Sequence, residues 1–222
     1  MDVLNLAHGE MFMVGAYVGW TVFVRPDTFV DLLSPLLLTI VGFALLPAWR
    51  VWIQKVPFLL KQARIWPWLA LVLGAGLLWI AYARFPLAIW NPDVYSESPI
   101  TFSLALSQNN LALATVPPSA GWPLGLVGTL LGGSLLALAM VGFGLRQQAG
   151  RISSHIPRGT WVTTAVLLAL GLLTFFINSN ITDFLLGIST TSRFFVAMAV
   201  ATGLGFVIGG LIEVALIRPL YD

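Results

Sequence analysis

Long apolar runs alternate along this chain with short charged stretches, and about six of the runs are candidates for helices that cross a membrane. The first covers roughly Val3 to Val24, although only Met11 to Val24 is free of charge. The second runs from about Phe29 to Trp49, with Asp31 and Pro35 near its start. The third, about Ile65 to Ala83, opens on "WPWLALVLG", where Pro67 suits a first helical turn because the N–H it lacks would be unpaired there. Leu124 to Leu145, Trp161 to Ile177 and Phe194 to Ile217 complete the set. A run of about 20 apolar residues is enough to cross the hydrocarbon core. The expected fold is therefore an all-α integral membrane protein.

The polar intervals set the expected orientation. Arg50, Lys55, Lys61 and Arg64 lie between the second and third runs, Arg146, Arg151 and Arg158 between the fourth and fifth, and Arg218 follows the sixth. These mark the cytoplasmic side, since short cytoplasmic loops carry an excess of Lys and Arg. The other intervals hold Arg25 with Asp27 and Asp31, Arg84 with Asp93 and Glu97, and Asp183 with Arg193. "RVWIQKVPFLLKQAR" is either an interfacial helix or a basic loop that fixes topology. The Pro-, Ser- and Asn-rich stretch from Asn91 to Pro123 predicts an outer loop. Trp49, Trp66, Trp68, Trp122 and Trp161 fall near run ends, where indoles sit well at headgroup level.

Composition agrees with this pattern: 58% of the 222 residues are hydrophobic and 9% are charged, against about 25% charged in ordinary soluble domains. A formal charge of +2, with no basic cluster in a soluble segment, speaks against a nucleic-acid binder. Zero cysteines exclude disulfides, thiolate metal sites and a cysteine nucleophile. With Asp2 and no basic residues ahead of the first apolar part, no secretory signal is expected.

Candidate chemistry concentrates in "MDVLNLAHGEMFMVGAY", which carries Asn5, His8 and Glu10 in an otherwise apolar run. Zinc needs three or four ligands, and the one other histidine, His155, lies in a basic loop, so no metal site is expected. No Ser, His and acid set can be assembled without the same histidines, and an enzyme is not expected. Two roles stay open for these residues. Asn5 caps a helix while Glu10 complements its positive end, or the group faces a transport route, as ionisable residues inside membranes tend to do. A break of the first helix near His8-Gly9 is expected. The steps Gly128 to Gly132 and Gly205 to Gly209 permit close helix packing. Gly203, Gly205 and Gly209 do not have the spacing of a dinucleotide fingerprint. Glu213 stands about one turn before Arg218, at the basic end of the last run.

Two stretches together resemble one family, the inner-membrane permease subunits of branched-chain amino acid ABC transporters, which include urea permeases. "MDVLNLAHGEMFMVGAY" is similar to the family's early motif, and "GLIEVALIRPLYD" to its later helix end with Glu followed by Arg-Pro-Leu. In the family the two stretches lie closer together, whereas here four apolar runs intervene. Four is even, so the orientation read from charge is kept. The resemblance implies a family-like first helix over 1–24, inserted helices and loops over 25–193, and a family-like helix over 194–222. Members have sequence before the first motif and continue past the second into a coupling loop. The chain is therefore expected to be an N-terminal part of a permease, incomplete at both ends.

What the resemblance implies for function is a multi-pass permease component of an ABC importer in the bacterial inner membrane. It would form part of the path for branched-chain or other hydrophobic amino acids, with urea or short amides as the alternative substrates. Asn5, His8, Gly9 and Glu10 would lie near the path, and Glu213, Arg218 and Pro219 would shape the cytoplasmic end. The implied partners are a second permease subunit, cytoplasmic ATPase subunits and a periplasmic solute-binding protein. The chain itself would take no cofactor, with ATP bound by the ATPases, since it contains no P-loop. The alternative is a membrane scaffold or accessory subunit with no path of its own.

Overall fold

The computed structural model describes residues 2–85, 104, 107, 108, 122–145 and 156–212, with the side chains of 2–8, 10, 11, 145, 207, 208 and 210–212 left aside. The stretch from Asn91 to Pro123, where an outer loop is expected, thus falls largely outside the described residues, as do Glu213, Arg218 and Pro219. All regular elements among the described residues are helical: α1 (Asp2–Val24), α2 (Pro26–Ala44), α3 (Leu46–Gln54), α4 (Pro57–Lys61), α5 (Trp66–Tyr82), α6 (Trp122–Leu145), α7 (Arg158–Phe176), α8 (Asn178–Gly187) and α9 (Thr190–Ile212). Among the described residues, three helical segments are long and apolar enough to cross a membrane: Pro26–Ala44, Trp122–Gly144 and Arg158–Phe176. Phe12–Val24 and Trp66–Tyr82 are apolar but shorter.

Two expectations change. α1 runs without interruption through His8 and Gly9, where a break was expected. One glycine costs a helix only about 1 kcal/mol relative to alanine, and no proline lies within α1 to withdraw a hydrogen bond. Over 29–49 the sequence predicts one helix, yet α2 stops at Ala44 and α3 starts at Leu46. Pro47, in the first turn of α3, has no N–H to give the carbonyl one turn back. The basic stretch after it is helical but divided, because Val56 takes an extended conformation (φ −113°, ψ 89°) ahead of Pro57.

The chain divides into two compact units, one holding 2–30, 104, 107, 108 and 179–212 and the other 31–85, 122–145 and 156–178 of these residues. The second unit is a packed helical bundle, with Leu38, Phe85 and Leu126 forming a buried cluster. α6 is its central element. A Cβ built on Gly128 would stand 2.8 Å from Ala81 Cβ, and one on Gly132 would stand 2.7 Å from Leu78 Cγ, so these glycines let α6 approach α5. Gly133 gives the same closeness to Thr39 of α2. Lipid is as apolar as leucine, so close packing rather than burial from water holds such helices together.

Polar side chains tie the same bundle. Ser34 Oγ donates to Gly171 O at 2.9 Å, Asn178 Nδ2 to Asp31 Oδ1 at 2.8 Å, and Tyr82 OH lies 2.9 Å from Thr39 Oγ1. Because unfolded helices in a membrane also find partners, Ser34→Ala is expected to cost only about 0.6 kcal/mol. Unfolding in graded denaturing detergent measures it, and a loss of several kcal/mol would show that Ser34 does more than this single bond.

Candidate helix-pair groove

The first unit is built on α1 and α9, helices of 23 residues each from opposite ends of the sequence. Small residues permit the contact: a Cβ on Gly19 would lie 3.3 Å from Ala201 Cβ and 3.7 Å from Ala197 O. Toward the end of α1, Phe23 meets Phe194 edge to face, with ring centroids 6.3 Å apart. Between the helices lies a groove of about 670 Å³. Gly15, Ala16, Gly19, Ala197, Ala201 and Gly205 supply its small lining residues, and Phe12, Trp20, Phe23, Phe194 and Met198 its large ones.

The groove is apolar in character. Among the described lining residues the one hydroxyl, on Thr202, already donates to Met198 O at 2.8 Å. An apolar side chain, an acyl chain or a further helix is chemically suited to such a lining. The described lining offers no charged group for an amino or carboxylate end.

Charge is held instead at the helix ends. Arg25, between α1 and α2, pairs in bidentate fashion with Asp27: Nη2 to Oδ2 is 2.8 Å and Nε to Oδ1 is 3.1 Å, with side-chain exposures of 6% and 10%. Such a fork-to-fork pair is the strong form of an ion pair. Arg193, only 2% exposed, donates from Nε to Leu185 O (2.7 Å) and from Nη2 to Leu186 O (2.7 Å) and Ile188 O (3.2 Å). It thereby caps the C-terminal end of α8, where carbonyls lack helical partners and the dipole favours a cation. Arg193 Nη1 and the Thr28 and Thr182 hydroxyls are buried without a hydrogen-bond partner among the described residues.

No family model, curated protein or solved structure matches the chain. Its site residues therefore stand on their own geometry. Asn5, His8, Gly9 and Glu10 all lie on the backbone of α1, and Gly9 is exposed with open space around it. The side chains of Asn5, His8 and Glu10 are outside the description. By register, positions 5, 8, 12, 15, 19 and 23 follow one another at three- and four-residue steps, the spacing of one helix face. Positions 5 and 8 of the motif thus share a helical stripe with the lining residues Phe12, Gly15, Gly19 and Phe23, whereas position 10 falls on the opposite side of α1.

Gly128 and Gly132 lie at the contact of α6 with α5, whereas Gly205 has nothing within 4 Å of an added Cβ and lines the groove. Gly209 lies within α9 and is partly buried. No group of three or more His, Cys, Asp or Glu able to hold a metal ion occurs among the described residues.

Sequence reading missed the groove and the buried arginines. Gly15 and Gly19 make a GxxxG step, and Ala197, Ala201 and Gly205 repeat small residues every four positions. That repeat was an available signal. For Arg25 and Arg193 the charges counted toward loop topology, and no local pattern marks either as buried.

Proposed function

We propose that the chain is a permease component of an ABC importer for branched-chain or other hydrophobic amino acids, forming part of the path through the bacterial inner membrane. The observation that carries this reading is the pairing of α1 with α9. One contains the first family-like motif, and the second motif begins within the other. The stripe from position 5 to position 23 joins Asn5 and His8 of the motif to an apolar groove, and an apolar lining suits the side chains of such substrates. In this reading the six spans are α1, α2, α5, α6, α7 and α9, and ATPases, a second permease and a solute-binding protein complete the importer. Urea or short amides are the alternative substrates.

The test is uptake by the complete complex. His8→Ala and Glu10→Gln are each expected to lower the initial rate about tenfold, equivalent to roughly 1.4 kcal/mol, with the protein still present in the membrane. Unchanged uptake in both variants would remove these residues from the path.

A scaffold or accessory role is the second reading. It draws on the second unit, whose Ser34, Thr39, Tyr82 and Asn178 side chains bond within the bundle. That reading requires proteins captured with the chain to lack the ATPases.

A further inference from the structure

Away from the α1–α9 groove, a second cleft of about 370 Å³ opens between α3 and the start of α7. Trp49, Trp52, Ile156 and Trp161 line it, with Lys55 among them. Trp49 and Trp52 stand edge to face, centroids 6.3 Å apart at 80°. The Trp49 Nε1–H donates to Gly42 O at 3.2 Å, which fixes that indole from within the protein. Trp52 and Trp161 are about half exposed, and the Lys55 residue is exposed. An apolar slot walled by indoles therefore has a lysine in its lining.

The surrounding charge is of one sign. The described stretches 45–64 and 156–162 contain Arg50, Lys55, Lys61, Arg64 and Arg158, and no Asp or Glu. Indoles prefer the membrane interface, and basic residues beside a membrane attract anionic lipid. A soluble anion would use the charge and leave the slot unfilled, and a zwitterionic lipid would fill the slot and leave the charge unanswered. We propose that this cleft binds an anionic phospholipid, its glycerol and upper chain segment among Trp52, Trp161 and Ile156 and its phosphate at Lys55.

The proposal rests on the reading of the chain as membrane-spanning and is independent of what the chain transports. The experiment uses the full chain, delipidated in neutral detergent and titrated with phosphatidylglycerol, phosphatidylcholine or inorganic phosphate. Bound lipid is counted by native mass spectrometry. Saturable retention of phosphatidylglycerol over phosphatidylcholine is expected, with no competition from inorganic phosphate. Lys55→Gln is expected to weaken it about fivefold, in line with the loss of one basic group near a lipid surface, and Trp161→Ala to weaken it too. Trp79→Ala removes another exposed indole, one outside the cleft, and leaves retention unchanged. Lys55→Glu, a change at an exposed position, keeps the test decisive if Trp161→Ala does not fold.

Equal retention of the two lipids, full competition by phosphate, or wild-type retention in both Lys55 variants overturns the site alone. A chain that stays dispersed without detergent overturns the membrane reading, and the site with it.

Discussion

A single methyl group at position 133 is expected to destabilise the chain by about 2 kcal/mol. A Cβ on Gly133 would stand 3.0 Å from Thr39 Cα and closer still to the Thr39 carbonyl oxygen. Both are backbone atoms and cannot turn aside as the end of a flexible side chain does. The helices α2 and α6 must therefore separate, and with them the neighbouring close approach at Gly42, where an added Cβ would meet Gly133 and Ser134 backbone. Overpacking costs about 1–3 kcal/mol, sometimes more, set against up to about 1 kcal/mol gained from alanine's better helix propensity. Gly133→Leu should be worse.

Gly76 is the control. Nothing lies within 4 Å of its added Cβ, so Gly76→Ala keeps the propensity gain without the clash. Thermal unfolding of both variants in the same detergent, followed by far-ultraviolet circular dichroism, measures the contrast. Equal midpoints for Gly133→Ala and wild type would mean that α2 and α6 do not cross at this glycine.

The second large effect is expected at Arg193. Arg193→Met keeps most of the apolar stem but removes the donors to Leu185, Leu186 and Ile188 carbonyls. Hydrogen bonds to charged groups contribute about 1.5–3 kcal/mol each, and relief from burying a charge offsets part of their loss. A net destabilisation of about 3 kcal/mol follows, concentrated where α8 leads into α9. Arg193→Lys should recover only part of it, since a compact ammonium cannot reproduce the planar fork that reaches several carbonyls. Hydrogen exchange resolved to α8 and the start of α9, together with global unfolding, separates local fraying from general loss. Methionine at wild-type stability would show that the carbonyls find other donors.

Both effects depend on contacts between residues whose sequence gives little notice of them. The class of the protein was legible: runs such as Leu124 to Leu145 are apolar throughout, and the corresponding helix covers Trp122–Leu145. The missing N–H of Pro67 suits a first turn, and the residue lies in the first turn of α5. Local rules suffice for such features because their causes are local. The same rules do not hold at His8-Gly9, where one glycine costs the helix too little to break it and α1 continues. They failed again near Pro47, where an unbroken apolar run concealed a helix boundary.

By itself, the sequence determined that the chain is helical and suited to a membrane, and where most of its helices lie. Those properties are sums over neighbouring residues: apolar length, charge spacing and the position of prolines. Only the tertiary structure decided that α1 pairs with α9, that Gly133 meets Thr39 and that Arg193 is buried against three carbonyls. In an apolar solvent one apolar face resembles another, so helix partners are selected by shape and hydrogen bonds between distant residues. Linear hydropathy carries neither.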